Sequence, residues 1–341
     1  MRCLTLADVF QSRGAQIRFV CRHIPDHLSM MLANRSYEFR RLEGDRADAS
    51  GGDLMHSQWL GTSQHADATE SNQQLSGRAW DWLAVDHYAL DSRWESALRQ
   101  TAARILVIDD VADRRHECDV LLDQTLHSGV HSRYSGKVPQ TCEMLLGPQY
   151  ALLRKEFRDL RDCVGERAGP IRRILICFGG IDADNYTRLA IEAVAGLDLR
   201  GLLVDVVIGA QHPCRTEVEE ECARHAFSCH VQTDRMAALI ASADLAIGAV
   251  GSASWERCCL GLPTISVTTA WNQIAVAEGL LACGAIVTAG AESSVTADGL
   301  ADAVVSLIRR PERLVAMSRA ARSIVDGLGA TRVCDRMMAL A

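Results

Sequence analysis

The chain has 341 residues, enough for two domains of ordinary size, and its 48% hydrophobic and 23% charged residues are typical of a folded globular protein. Its net charge of -7 argues against a nucleic-acid partner, because such proteins need excess Lys and Arg to neutralise phosphates. No apolar run reaches the roughly 20 residues that cross a bilayer, and the N-terminus lacks a signal-peptide layout, so we expect a cytoplasmic protein without a membrane partner.

The first half of the chain alternates short apolar runs with amphipathic stretches, which is typical of βαβ units and a parallel sheet. Helices are predicted over 3–13, 27–34, 94–102 and 154–161, and strands over 17–21, 82–86, 105–109, 120–123 and 144–148. Residues 43–79 are polar, and we predict a long surface loop there with one helix near 66–76.

The second half repeats this rhythm after the Gly/Pro-rich segment 165–170, which is the best linker candidate. Strands are predicted over 174–178, 203–208, 228–231, 245–247, 264–267 and 285–287, and helices over 186–195, 217–226 and 236–241. The pattern predicts an α/β fold with two Rossmann-like domains, over 1–165 and 171–341. Ligands of such sheets bind outside the carboxyl ends of the strands.

One candidate site is the turn that follows the first strand of the second half. Its sequence is Phe178-Gly179-Gly180-Ile181-Asp182. Glycines let the backbone approach a ligand closely, and a helix start suits a phosphate. A tight turn capped by Asp182 or Asp184, with no ligand, explains the same residues equally well.

A second turn of this kind is Gly248-Ala249-Val250-Gly251-Ser252-Ala253-Ser254-Trp255-Glu256, which again joins a strand to a helix. Small residues and hydroxyls suit a diphosphate, and a carboxylate one turn later can accept both hydroxyls of a ribose. The alternative is a helix capped by Ser with Glu as its capping-box partner. Two such turns in equivalent positions favour the functional interpretation.

A third cluster, Asp86-His87-Tyr88, follows a strand of the first half and could serve acid–base chemistry. The thirteen cysteines are scattered, include no C-x-x-C pair, and are expected to be reduced. Because the histidines show no metal spacing either, we expect no metal site and no cofactor.

Several segments occur together in the order seen in one family. They are Met1-Arg2-Cys3-Leu4, Val85-Asp86-His87-Tyr88, Gly147-Pro148-Gln149-Tyr150, Phe178-Gly179-Gly180 and Gly251-Ser252-x-Ser254-Trp255-Glu256. Over roughly residues 1–290, the chain resembles the UDP-2,4-diacetamido-2,4,6-trideoxy-beta-L-altropyranose hydrolases of pseudaminic acid biosynthesis. The resemblance implies a glycosyltransferase-B-like fold in which the second domain holds UDP and water cleaves the sugar–phosphate bond.

The resemblance also implies roles for individual residues. Glu256 matches the ribose-binding Glu, and Tyr88 matches a tyrosine on the sugar side, next to Asp86 and His87. The remaining matched residues would contact the diphosphate or the sugar: Gly179, Gly180, Asp182, Gly251, Ser252, Ser254, Asn272 and Gln273.

Two departures from the family accompany these matches. The family has a strand and a Gly-His loop, with the general base, before the segment that begins here at Met1; we hypothesise that the true start lies upstream. Val250 stands where the family usually has a second glycine, so its Cβ could narrow the approach to the nucleotide.

Two rival functions remain open. One is a UDP-sugar glycosyltransferase of the same fold, and the other is a truncated, non-catalytic UDP-binding paralogue. In each case, the expected partner is a small UDP-linked molecule, and the expected state is a monomer or weak oligomer.

Overall fold

The computed structural model describes residues 1–43, 52–127, 129–197, 199–291 and 294–340. The chain forms two compact units. Unit 1 comprises Met1–Thr125, Gly129–Leu152 and Gly329–Ala341; unit 2 comprises Leu126–Ser128 and Leu153–Leu328. The last helix therefore belongs to unit 1, which differs from the boundary of 171–341 drawn from sequence. Among the described residues, no helix is both long and apolar enough to span a membrane.

Unit 1 contains short helices and parallel strands in alternation. In chain order they are α1 (Arg2–Ser12), β1 (Arg18–Cys21), α2 (Asp26–Asn34), β2 (Glu38–Arg41), α3 (Gln64–Leu75), β3 (Trp80–Val85), α4 (Ser92–Leu98), β4 (Ala102–Ile108), β5 (Val120–Asp123), α5 (Val130–Arg133) and β6 (Glu143–Leu146). Short 3-10 turns lie at Ser57–Trp59 and Pro148–Tyr150.

The unit 1 strands form two parallel sheets, one with the order β3-β4-β5-β6 and one made of β1 and β2. All four residues of β5 are buried, as expected for an interior strand of a sheet covered on both faces. The sequence analysis missed β2, because Glu38-Phe39-Arg40-Arg41 has only one apolar residue. The helix predicted near 66–76 is confirmed by α3. Part of the predicted loop, residues 44–51, lies outside the described residues.

Unit 2 begins with α6 (Lys155–Arg161). Its strands are β7 (Arg173–Cys177), β8 (Leu203–Ile208), β9 (Ser228–Val231), β10 (Leu245–Ala249), β11 (Thr264–Thr268) and β12 (Ile286–Ala291). Its other helices are α7 (Tyr186–Ala195), α8 (Arg215–Arg224), α9 (Met236–Ser242), α10 (Ala253–Cys259), α11 (Ile274–Ala282), α12 (Ala297–Ile308) and α13 (Pro311–Ile324). The final helix, α14 (Gly329–Leu340), packs in unit 1 on a core that includes Leu6 and Leu106.

The unit 2 strands form one parallel sheet with the order β12-β11-β10-β7-β8-β9. This order is that of a Rossmann fold, in which the chain runs to one edge, returns to the centre and runs to the other edge. Apolar side chains of the central strands, including Ile176 and Ile247, pack with the helices in one continuous core. The six strands predicted for this half are all confirmed.

A buried charge cluster holds the loop that follows β4. His116 Nδ1 lies 2.8 Å from Glu95 Oε1, and its Nε2 lies 3.7 Å from Asp109 Oδ2, with all three side chains fully buried. Arg114 Nη1 donates to Asp109 Oδ1 at 2.9 Å. Although burial opposes the charged imidazolium, the hydrogen bond to Glu95 and the negative charge of the nearby Asp109 raise the pKa of His116 to about 9.

We predict that His116→Asn lowers the free energy of unfolding by roughly 3 kcal/mol at pH 6, because both buried carboxylates lose their shared cation. A folded-state pKa near 9, above the usual 6.5, means that this stabilisation is complete below pH 6.5 and lost as pH rises through 9. Urea unfolding of both proteins at pH 6 and pH 9.5 measures the difference. A gap of equal size at the two pH values would contradict the charged-histidine assignment.

Candidate functional site

The centre of the unit 2 sheet brings the two glycine-containing turns together. β7 pairs with β10, and the register places Cys177 opposite Gly248 at the carboxyl ends of these strands. The chain order reverses at this pair, and ligands of open parallel sheets bind in the crevice at such a switch point. Both turns follow directly from these strands, so they are adjacent at the predicted ligand-binding edge.

Close backbone approach requires glycine at two positions: Gly248, the first residue of the second motif, and Gly209, for which the sequence predicted no role. A Cβ on Gly248 would lie 2.1 Å from the carbonyl oxygen of Cys177. A Cβ on Gly209, at the end of β8, would lie 2.1 Å from the carbonyl oxygen of Gly180. Any side chain at either position would push the strand ends apart. Gly179 itself has a φ of +104 and is exposed with Gly180.

Asn185 is the N-cap residue of α7, and Asp182 holds the first two N–H groups of the same helix. The Asp182 carboxylate accepts from the backbone N–H of Tyr186 at 3.0 Å and of Thr187 at 2.8 Å, and from the Thr187 hydroxyl at 2.7 Å. His212 Nε2 lies 3.5 Å from the same carboxylate. These contacts support the capping interpretation of Asp182.

We predict that Asp182→Ala lowers the free energy of unfolding by about 1–2 kcal/mol, because the first N–H groups of α7 lose their acceptor. Asp184→Ala is the matched control, since Asp184 is exposed and only two residues away. Thermal or urea unfolding of the two variants gives the comparison. Equal stability of the two variants would count against the cap.

The second turn exposes Ser252 but buries Ser254. Ser254 is 2% exposed, and its hydroxyl oxygen accepts from the N–H of Gly251 at 3.3 Å and from Arg257 at 3.1 Å. Ser252 is the residue before α10, and its side chain makes no capping hydrogen bond. The side chain of Val250 is buried, only 1% exposed, and therefore does not cover the turn. Gly251 and Ser252 are thus the members of this motif that a ligand can reach.

Glu256 is half-buried and has no hydrogen-bonding partner among the described residues. Burial raises the pKa of its carboxyl to about 7, while Arg154 and Arg257 act in the opposite direction. The capping box considered from sequence is not formed, since Ser252 makes no capping bond. A carboxylate held in this way can accept hydrogen bonds from a ligand's hydroxyl groups.

Asn272 and Gln273 follow β11 in a 3-10 turn. The Gln273 Oε1 accepts from the N–H of Thr269 at 2.9 Å and from its hydroxyl at 3.2 Å, so this side chain shapes the loop. Asn272 is exposed.

At the carboxyl end of β3 in unit 1, the predicted acid–base residues have different surroundings. Arg2 bridges two carboxylates, with Nη2 2.6 Å from Asp86 Oδ1 and Nη1 2.8 Å from Asp110 Oδ2. The Tyr88 hydroxyl donates to Asp110 Oδ1 at 2.7 Å. Burial and the neighbouring Asp110 raise the pKa of Tyr88, so the phenol stays protonated at neutral pH.

His87 takes no part in this cluster. Its Nδ1 accepts from the N–H of Ala89 at 3.1 Å, which places the proton of the neutral ring on Nε2. Burial lowers the pKa of His87, so the neutral form prevails at pH 7. In this tautomer, the ring donates from Nε2 and has no free lone pair to serve as a base.

Several residues of the unit 1 cluster were missed from sequence. Asp110 follows β4 as Asp86 follows β3, and the strand-end rule would have found it. Arg2 carries no such signal. Trp59, which is 52% exposed, packs edge-on to Tyr88 with ring centroids 5.9 Å apart, and His56 stacks on Trp59 at 4.4 Å. Both come from the polar segment that was predicted as a surface loop.

No group of three or more His, Cys, Asp or Glu side chains in the described ranges is arranged to hold a metal ion. No family model matches the chain.

Three curated proteins are distantly similar to the chain. An uncharacterized protein of Methanocaldococcus jannaschii is 23% identical over 192 residues, covering 54% of this chain and 40% of that protein. The UDP-2,4-diacetamido-2,4,6-trideoxy-beta-L-altropyranose hydrolase of Campylobacter jejuni is 34% identical over 109 residues, covering 32% and 38%. The spore coat polysaccharide biosynthesis protein SpsG of Bacillus subtilis is 24% identical over 236 residues, covering 69% of each. The chain thus spans about two fifths of the length of the first two.

Solved structures resemble the chain over nearly its full length. The MurG structure of Acinetobacter baumannii has a TM-score of 0.63 at 16% identity, covering 99% of this chain and 95% of that one. The UDP-GlcNAc 2-epimerase of Neisseria meningitidis, bound to UDP-GlcNAc, has a TM-score of 0.65 at 10% identity, covering 99% and 97%. The predicted fold class is confirmed: the protein is α/β, with parallel sheets in two units and a glycosyltransferase-B-like fold.

Proposed function

We propose that the protein hydrolyses a UDP-linked 2,4-diacetamido-2,4,6-trideoxy hexose to UDP and the free sugar. The observation that carries the proposal is Glu256, a partnerless, half-buried carboxylate beside two glycine-containing turns at the switch point of the unit 2 sheet. The distant similarity to a hydrolase of this substrate supplies the sugar and the reaction.

In the proposed mechanism, unit 2 binds the nucleotide. Glu256 accepts hydrogen bonds from the ribose hydroxyls, and the exposed backbone of Gly179, Gly180 and Gly251 approaches the diphosphate with the Ser252 hydroxyl. N–H donors aimed at the leaving phosphate stabilise the charge that develops as the bond breaks. Asn272 is exposed and available to the ligand, whereas Asp182, Ser254 and Gln273 hold the loops in shape.

The residues of unit 1 act on the sugar. Water attacks the anomeric carbon, the bond from that carbon to the phosphate oxygen breaks, and UDP leaves with the bonding electrons. Of the three residues selected from sequence, Asp86 is the one able to accept the proton of the attacking water, since Tyr88 is a neutral phenol and His87 has no free lone pair. Arg2 orients the Asp86 carboxylate, and Tyr88 is fixed by Asp110.

A glycosyltransferase of the same fold is the second candidate. The exposed ring of Trp59, close to Tyr88, together with the 65% exposed side chain of Met55, favours an organic acceptor in place of water. The two functions differ in one measurable respect, which is whether UDP release needs an added acceptor.

Release of UDP from the UDP-linked diacetamido sugar, with water as the only acceptor, tests the proposal directly. We expect turnover by the unmodified chain, and we expect Tyr88→Phe to reduce kcat by about tenfold or more with UDP affinity retained, because the fixed phenol is lost while unit 2 is unchanged. Trp80→Phe, a conservative change at the opposite end of β3, is the control. Binding of UDP without release would favour the transferase or a binding-only protein, and unchanged kcat in Tyr88→Phe would remove the role of Tyr88.

The pKa of Glu256 gives a second prediction. Because the ionised carboxylate accepts the ribose hydroxyls, affinity for uridine should fall as pH is lowered through about 7, the value to which burial raises this pKa. Uridine is the proper probe, since the phosphate groups of UDP titrate near pH 6 themselves. Isothermal titration calorimetry from pH 5.5 to pH 8.5 should show this slope in the unmodified protein and a flat, weak response in Glu256→Gln. A flat profile in the unmodified protein would exclude Glu256 from the ribose site.

A further inference from the structure

Arg257 is a buried cation directly behind the second glycine-containing turn. It is 4% exposed, and its Nη2 donates to the carbonyl oxygen of Ala249 at 2.7 Å and to the hydroxyl of Ser254 at 3.1 Å. Ser254 in turn accepts from the N–H of Gly251. One guanidinium therefore ties together the start and the end of the turn.

The acceptors of Arg257 are all neutral. Within the part of the chain that the structure describes, no carboxylate forms an ion pair with it, and its Nε has no hydrogen-bond partner. Burial lowers the pKa of Arg257, which reflects the unfavourable desolvation of an uncompensated charge. The adjacent carboxyl of Glu256 attracts this charge, but burial raises the pKa of that carboxyl to about 7 and so weakens the compensation.

Arg167 shows what a buried arginine does when its role is purely structural. It is 8% exposed, and it donates to the carbonyl oxygens of Ile240, Ala241 and Ala243 at the end of α9 and to that of Gly165. Carbonyl groups at the end of a helix carry partial negative charge, which suits a cation. The acceptors of Arg257 do not lie at the carboxyl end of a helix, and the turn it holds carries the half-buried Gly251 and the exposed Ser252.

We propose that Arg257 is a positioning residue that holds the 248–254 turn in its binding form and whose unpaired charge makes this site prefer anionic nucleotides over neutral nucleosides. The proposal rests on the nucleotide-binding role of unit 2. The guanidinium acts from behind the backbone, through Ala249 and Ser254, and does not contact the ligand. Because the guanidinium is buried, water screens its charge less than that of a surface arginine, and it acts more strongly on a nearby phosphate.

The same charge sets the ionisation of Glu256. The groups that face Glu256 are Arg154 and Glu156 from the α6 region and Arg257 on its own helix, and Cys177 of β7 faces Arg257. Arg154 and Arg257 lower the pKa of Glu256, so removing either charge should raise it. A residue that merely filled space would leave this ionisation unchanged.

The test compares three variants of the full chain: Arg257→Gln, Arg257→Lys and Arg167→Gln. Glutamine keeps an amide donor near Ala249 but removes the charge, lysine keeps the charge, and the Arg167 variant removes a matched buried charge far from the turn. Calorimetric affinities for UDP and for uridine are measured at pH 8, and the pH midpoint of uridine binding is measured for each variant.

We expect Arg257→Gln to lower the affinity for UDP on the order of tenfold while changing that for uridine about twofold or less. The pH midpoint of uridine binding should shift upward in the same variant. Arg257→Lys should keep the UDP affinity and the pH midpoint of uridine binding at the values of the unmodified protein. Arg167→Gln should leave both quantities unchanged, whatever its effect on the unfolding temperature.

Equal losses for UDP and uridine in Arg257→Gln would overturn the proposal, as would an unshifted uridine midpoint. If Arg257→Gln does not fold, the same affinities are measured for Arg257→Lys and Ser254→Ala. An unchanged ratio of UDP affinity to uridine affinity in Ser254→Ala would contradict the role of the Arg257–Ser254 hydrogen bond. If the unmodified protein binds neither UDP nor uridine, the nucleotide site itself is wrong, an outcome distinct from the failure of Arg257 alone.

Discussion

The pairing of β7 with β10 is the constraint on which the unit 2 site depends. These strands are sequentially distant, yet the register brings Cys177 and Gly248 together so closely that a Cβ at position 248 would lie 2.1 Å from the Cys177 carbonyl oxygen. This approach makes both turns leave the sheet side by side.

The two units treat their buried charges differently. In unit 1, Arg114 pairs with Asp109, Arg133 pairs with Asp123, and Arg2 lies between Asp86 and Asp110. Burying such ions is tolerable because each has an opposite charge within hydrogen-bonding distance. In unit 2, the buried Arg257 and Arg167 bond only to neutral oxygen atoms. Arg167 bonds to the carbonyl groups at the end of α9, whose partial negative charge suits a cation. Arg257 has no such acceptors, and we infer that a bound anion compensates its charge.

Much of the fold could be predicted from sequence because parallel strands covered on both faces appear as short apolar runs. Ile174 to Cys177 and Leu245 to Ile247 are examples, and the glycines after them mark the turns. The edge strand β2 was missed because its charged residues face solvent and carry no such pattern. The packing of α14 in unit 1 depends on contacts with a core that includes Leu6 and Leu106, which are remote in sequence. No local sequence pattern therefore predicts to which unit α14 belongs.

The roles of individual site residues were harder to predict, because identical residue types serve as caps and as ligand groups. Asp182 and Glu256 both sit near the start of a helix after a glycine-containing turn. Asp182 has backbone N–H groups and a hydroxyl within 3.0 Å, whereas Glu256 has no such donor. Only the three-dimensional environment separates them. The tautomer of His87 likewise depends on one backbone N–H, that of Ala89, whose position relative to the ring no sequence pattern specifies.

The environment of Glu256 also links binding to stability. A carboxyl whose pKa rises from its usual value of 4.5 to about 7 on folding binds more protons in the folded state, so folding becomes less favourable as pH rises between these two values. Ionisation of this carboxyl therefore lowers the free energy of unfolding by about 1–2 kcal/mol at pH 8, after allowance for partial solvent screening. A purely structural position would be occupied more stably by glutamine, which has the same shape and no charge to desolvate. The protein offers no hydrogen-bond donor to the Glu256 carboxylate, and the hydroxyl groups of a bound ribose would supply such donors. Ligand binding therefore explains a carboxylate at this position better than folding does.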